Sequence, residues 1–178
     1  AVGAAVQILL HPAGMGFSRR HITVSTAGVV PAMEEFVHRV PVKLAISINA
    51  TTDAVRDRLM PINRRFPIRD LLACCRQLPL QHGDRLTFEY VLLGGINDSP
   101  EDAGRLADLL QGIRAKVNLI PFNSFPGCPL GAPDSRAVEA FQETLVARHV
   151  SAVVRQSRGE SLQGACGQLV TRRRDQHD

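Results

Sequence analysis

The sequence predicts a parallel α/β sheet, and three observations predict it. Extended apolar segments alternate with segments whose apolar residues recur at the helical period of about 3.6. The segment VKLAISINA is almost wholly apolar, as a strand covered on both faces should be. Polar residues collect where the extended segments end. Strands joined by right-handed helical crossovers lie parallel, and ligands of such sheets sit at the C-terminal strand ends. Five strands in 178 residues leave two architectures, an open doubly wound sheet or part of a (β/α) barrel.

Ile22, Val24 and Thr26 form the first extended run, closed by Gly28. Pro31 suits the first turn of a helix whose Met33, Phe36, Val37 and Val40 share a face. Residues 42–50 make the second strand. Pro67 opens a helix with Ile68, Leu71, Leu72 and Cys75 on one stripe and Cys74 pointing elsewhere. Residues 85–93 are the third strand, with GGIND as its turn. Ser99, Pro100 and Asp102 are a helix start, a capping hydroxyl followed by proline and first-turn acid. Leu106, Leu109, Leu110 and Ile113 are that helix's buried stripe. Residues 116–122 form the fourth strand, and Asp134 caps a helix carrying Val138, Phe141 and Leu145. Residues 150–155 are the last strand, followed by a polar, glycine-punctuated stretch, QSRGESLQGACGQL. The strand ends carry Ser25 and Thr26, Ser47 and Asn49, Asn97 and Asp98, and Asn123 and Ser124. No G-x-G-x-x-G follows the first strand and no phosphate-binding P-loop is present; the polar edge points to a small-molecule or cofactor site.

With 44% apolar and 21% charged residues the composition is that of a globular protein. No apolar run approaches the roughly 20 residues of a membrane-spanning helix, and residues 1–10 lack the features of a signal peptide. The expectation is a cytoplasmic protein with no membrane partner. Because the chain opens on Ala1, it is read as part of a longer polypeptide. The net charge of +4 comes almost entirely from arginine, the only lysines being Lys43 and Lys116. The planar guanidinium suits phosphate, which makes nucleic acid a candidate partner, although a GC-rich genome produces the same skew. Cys74, Cys75, Cys128 and Cys166 have neither zinc-site nor disulfide-framework spacing. Reduced thiols, and no metal site in this chain, follow.

Five segments carry a resemblance: HITVSTAGVVPAM, VKLAISINATTDAVRDRLMPINRRFPI, TFEYVLLGGINDSPEDAGRLADLL, KVNLIPFNSFPG and RGESLQGACGQL. In this order and over essentially the whole chain they resemble the radical-SAM adenine-C2 RNA methyltransferases of the RlmN type, with the related C8-methylating Cfr enzymes. The resemblance implies a partial (β/α) radical-SAM barrel, its last four parallel strands plus a C-terminal extension strand. It implies a division into barrel (1–156), methyl-carrier cysteine loop (157–170) and polar, disordered tail (171–178). Residues 1–18 correspond to the helix leading into the first strand present here.

By the same resemblance the cofactors are S-adenosyl-L-methionine and a 4Fe–4S cluster. Ser25, Ser47, Ile48, Asn49 and Asn123 fall on residues that contact S-adenosylmethionine, and Cys166 on the cysteine that carries the methyl group to the base. Some relatives have histidine at the position of Asn49, and an amide can hydrogen-bond there without titrating near neutral pH. The implied reaction methylates C2 of an adenine in 23S rRNA, with tRNA as a further target, and draws electrons from a donor such as flavodoxin or ferredoxin. Adenine C2 is neither nucleophilic nor acidic, hence a radical route through a methylated Cys166. The family's C-x-x-x-C-x-x-C cluster motif and G-M-G-E-P motif are missing, as are the N-terminal RNA-binding domain and the second cysteine. The chain therefore reads as the C-terminal half of such an enzyme, inactive alone.

Each residue also has a plainer reading. A free cysteine is most often a small buried apolar group, but Cys166 stands in a polar setting near Gly164 and Gly167, which give backbone freedom. Cys75 reads as core and Cys128 as incidental. Ser25, Ser47 and Asn123 taken singly are strand-end residues that satisfy local backbone groups. Together on one edge they point to a site. Glu89 faces either the barrel interior or solvent at a sheet edge. Arg155 and Arg158 flank the Cys166 segment and are the candidates for RNA phosphate contact, whereas Arg172–Arg174 read as solvated tail. The alternative of a different class is a non-catalytic RNA- or SAM-binding module derived from the same family.

Overall fold

Five strands pair in sequence order, β1-β2-β3-β4-β5, and every neighbouring pair is parallel in the computed structural model, which describes residues 1–125 and 127–155. The strands are β1 (Thr23–Thr26), β2 (Lys43–Ser47), β3 (Leu86–Leu92), β4 (Ala115–Pro121) and β5 (Ser151–Val154). The helices are α1 (Val2–Leu10), α2 (Val30–Arg39), α3 (Asp53–Leu59), α4 (Ile68–Gln77), α5 (Pro100–Leu109) and α6 (Ser135–Ala147), with short 3₁₀ turns at Arg19–His21 and Pro61–Arg64.

The strand order decides between the two architectures. A doubly wound sheet reverses its order at a switch point and places helices on both faces. Here no reversal occurs, so right-handed crossovers bring successive helices to the same side. Accordingly α2, α4, α5 and α6 bury their apolar stripes against Leu44, Ile46, Ile48, Phe88, Tyr90, Leu92, Val117 and Leu119 of one sheet face. That is the winding of a barrel wall, as the resemblance implies.

Caps explain where the helices begin. Thr52 Oγ1 accepts from Val55 N at α3, Ser99 Oγ from Asp102 N at α5 and Asp134 Oδ1 from Arg136 N at α6. α3 escapes a reading of hydrophobic periodicity because the side chain it buries is Arg56. α4 differs from expectation in one respect: Cys74 is buried alongside Cys75, because α4 packs under α2 as well as on the sheet. Burial, with Glu34 of α2 adding to it, raises the Cys74 thiol to about 11, and burial raises Cys75 to about 12. At pH 8 only about one Cys74 in a thousand is thiolate, the reactive form. Iodoacetamide at pH 8 is therefore expected to leave both cysteines unmodified in the folded protein, as read by peptide mass mapping. Native-state alkylation of either would contradict this packing.

Candidate functional site at the C-terminal strand ends

The β1 end is shaped by a glycine. Gly28 N donates to Thr26 Oγ1 (3.1 Å), and Gly28 has φ +98°. A Cβ there would lie 3.1 Å from Leu71 Cδ1 and 3.3 Å from Arg56 Nη2. Both the conformation and the space require glycine.

The β2 end turns at Asn49, whose φ of +53° is a left-handed conformation that asparagine tolerates. Ile48 N still donates to Glu89 O (3.1 Å). One residue later the side chain takes over: Asn49 Oδ1 accepts from Val91 N (2.9 Å), while Asn49 Nδ2 approaches Met60 Sδ (3.3 Å). Much of the Asn49 amide is thus occupied in holding β2 to β3.

Two buried polar groups support this turn. Asn97 Nδ2 donates to the carbonyls of Asn49 and Val91 (both 2.8 Å), and its Oδ1 accepts from Leu93 N (2.7 Å). Tyr90 Oη donates to Asn97 O (2.9 Å). Farther along, Thr51 Oγ1 donates to Asp102 Oδ1 (2.6 Å), and Arg105 pairs with the same oxygen at 2.6 Å. The turn after β2 is thereby tied to the start of α5.

Arg56 ties β2 to β1. It is wholly buried. Nε donates to Ile48 O (3.0 Å), Nη2 to Ala27 O (3.0 Å) and Ser47 O (3.3 Å), and Nη1 to Asn63 Oδ1 (2.8 Å) and Phe66 O (3.3 Å). Asn63 Nδ2 then reaches Asp53 Oδ1 (3.0 Å) and Asp57 Oδ1 (2.7 Å). Burial lowers the Arg56 pKa from its ordinary value, against the raising influence of Asp53 and Asp57.

Opposite the helices lies a polar sheet face. Val24 packs on the core, so Ser25, one residue on, faces the other way, opposite Ala45 in the register. Ser47, Glu89 and Asn118 are register partners across β2, β3 and β4 and share this face. Glu89 is therefore on a central strand rather than at an edge. Its Oε1 accepts from Asn118 Nδ2 (3.0 Å), while its Oε2 is buried and has no donor among the described residues.

The predicted site residues divide between two ends of one rim. Ser25 is exposed and Ser47 half-buried on the open face, whereas the Ile48 side chain lies in the core and its backbone is engaged, the N–H with Glu89 O and the carbonyl with Arg56 Nε and Ala50 N. Asn123 follows β4, three strands from Ser25, roughly 14 Å along the sheet at about 4.8 Å per strand. It lines a cleft of about 600 Å³ with Phe122, Pro133, Gln142 and Val154. Arg155 is exposed at the end of β5, its N–H donating to Leu119 O (2.8 Å). Cys166 and Arg158, with the 157–170 and 171–178 segments, lie outside the described residues. Among the described residues no cluster of His, Cys, Asp or Glu could hold a metal, and no helix is long and apolar enough to cross a membrane. Arg56 escaped the sequence reading. Asn97 was visible only as one of several polar strand-end residues.

A one-way wound α/β wall with a polar rim at its C-terminal strand ends defines the class, part of a parallel (β/α) barrel. A domain of a pyruvate-formate lyase-activating enzyme from Bacteroides vulgatus, 15% identical, shares the fold at a TM-score of 0.64 over 85% of this chain and 89% of its own. A radical SAM methyltransferase from Sphaerobacter thermophilus, 46% identical, superimposes at a TM-score of 0.88 over 94% of this chain and 50% of its own. No family model matches the chain. Among curated proteins, the dual-specificity RNA methyltransferases RlmN of Anaeromyxobacter dehalogenans and Geobacter sulfurreducens are 58% and 52% identical over 93% of this chain. The chain belongs to the family of RlmN-type radical-SAM methyltransferases. It spans about half the length of the curated relatives it matches, 45% and 46% of those two.

Proposed function

We propose that this chain is the C-terminal portion of an enzyme that methylates C2 of an adenine in 23S rRNA, and in tRNA, with Cys166 as methyl carrier. The observation that carries the reading is the 58% identity over 166 residues with a dual-specificity RNA methyltransferase. The polar rim supports it. S-adenosylmethionine, when bound, supplies an electrophilic methyl group on sulfur. Ser25 and Ser47 offer hydroxyls on the open face and Asn123 an amide at the far end of the rim, while Ile48, its backbone engaged, acts by holding the β2 end in place. Asn49 acts here mainly by shaping the turn, since its carbonyl and side-chain oxygens are both engaged.

Cys166, as thiolate, is the nucleophile that accepts the methyl group, and Arg155 and Arg158 hold RNA phosphates. A 4Fe–4S cluster does not fit the residues described: Cys74 and Cys75 are buried within α4 and Cys128 stands alone. Its ligands belong to the portion of the protein that this chain does not include, and so does docking of a flavodoxin- or ferredoxin-type donor.

The test is mass spectrometry of the protein isolated from its own cells, combined with Cys166→Ala. One stable extra methyl on Cys166 is expected, with loss of adenine methylation in the variant. An unmodified Cys166, together with methylation retained in the variant, would overturn the proposal. SAM or RNA binding with no methyl on Cys166 would favour the non-catalytic module.

A further inference from the structure

A guanidinium has five N–H donors, and Arg56 uses all five on oxygens of Ala27, Ser47, Ile48, Asn63 and Phe66. Four of these acceptors are backbone carbonyls and the fifth is an amide. Among the described residues no carboxylate ion-pairs with Arg56 directly, and Asp53 and Asp57 reach it only through Asn63. Burying a cation against neutral acceptors is a costly way to stabilise a core, and apolar groups of similar volume usually do as well. What the fork supplies is geometry. Its donors diverge in one plane and reach both turns at once: Ala27 O follows β1, while Ser47 O and Ile48 O end β2. Those turns carry Ser25 and Ser47–Asn49. Gly28 allows the close approach, because a side chain there would meet the guanidinium at 3.3 Å.

We propose that Arg56 is a positioning residue: its guanidinium fixes the separation and orientation of the strand-end turns after β1 and β2, and thereby sets the site in which they hold S-adenosylmethionine. This rests on the cofactor reading of those turns given above. Lysine cannot substitute, since its three donors radiate from one point and cannot bridge both turns in a plane.

The experiment compares wild type, Arg56→Lys and Arg56→Ala in the full polypeptide, at a temperature where circular dichroism finds each folded. Equilibrium S-adenosylmethionine affinity is expected to fall on the order of ten- to a hundredfold in both variants, the scale of a small misplacement of a binding group. Ethylguanidinium should restore affinity to Arg56→Ala, and ethylammonium should not. A merely structural role lowers the melting temperature but leaves the affinity of the folded protein unchanged, and that result would overturn the proposal. Amide exchange supplies a readout independent of the cofactor. Gly28 and Ala50, in the two turns, should exchange at least about tenfold faster, while Phe88 and Leu119 in the sheet centre remain protected. If wild type binds no S-adenosylmethionine, the cofactor reading fails, and the exchange pattern alone decides whether Arg56 holds the turns. If Arg56→Ala does not fold, Asn63→Ala, which removes one of the five acceptors, should raise exchange at Gly28 and Ala50. Unchanged exchange at both would sink the idea.

Discussion

Asn97→Ala is expected to destabilise the protein by about 2–5 kcal/mol, measured by urea unfolding at neutral pH. The side chain makes three hydrogen bonds in an environment where Asn97 itself is 1% exposed. Alanine leaves the carbonyls of Asn49 and Val91 and the N–H of Leu93 without partners and without water. The estimate follows from about 1–3 kcal/mol for each orphaned buried group, reduced because a small cavity can admit a water molecule. Asn97→Asp should be no better at neutral pH. Its carboxylate could still accept from Leu93 N, but it would face two carbonyl oxygens that need donors. Burial beside those carbonyls raises the folded-state pKa of such an aspartate above its unfolded value. Its protonated form is therefore the stabilising one, and stability relative to Asn97→Ala should improve as pH falls and be lost as pH rises through the folded pKa. A loss below about 1 kcal/mol in both variants would mean that the turn after β2 is not held as described.

Phe141→Ala is expected to cost about 3–5 kcal/mol, the range for truncating a fully buried aromatic side chain. Phe141 is 0% exposed on α6, and its ring lies 5.2 Å from that of Tyr90 at a tilted angle. The consequence should extend beyond the core, because Tyr90 Oη donates to the Asn97 carbonyl. A loosened Tyr90 ring weakens the same turn that Asn97 braces. A double-mutant cycle of Phe141→Ala with Tyr90→Phe should give a coupling of about 0.5–1.5 kcal/mol. Tyr90 is the only tyrosine and there is no tryptophan, so intrinsic fluorescence reports this contact directly. Additive effects with unchanged tyrosine emission would show that the α6 core and the strand-end turn are independent.

Much of the wall was legible because it obeys local rules. The helix starts at Ser99 and Asp134 are written in capping residues, and the stripes of α4, α5 and α6 in the helical period. The strands were found to within a residue or so of their bounds, except that the second was read three residues too far, past Ser47 to Ala50, since parallel strands are apolar runs flanked by turn residues. The misses share one cause. α3, Arg56 and the burial of Cys74 depend on what another part of the chain places nearby. Hydrophobic periodicity carries no sign that an arginine is wanted inside, because its acceptors are carbonyls contributed by three other segments.

The same division holds for the site. Ser25, Ser47, Asn49 and Asn123 were visible as polar residues at strand ends, and their neighbouring residues carried the family resemblance. The sequence by itself determined the succession of strands and helices, the sheet edge at which polar residues gather, and the family. The tertiary structure bore out, through the unreversed strand order, the barrel wall that the residue patterns alone left open and the family resemblance implied. It also separated side chains free to meet a ligand, such as Ser25 and Ser47, from those occupied in holding the turns, such as Asn49, Asn97 and Arg56. The physical reason is range: caps and periodicity act over a few neighbouring residues, whereas strand order and the partners of a buried polar group are set by segments brought together only on folding.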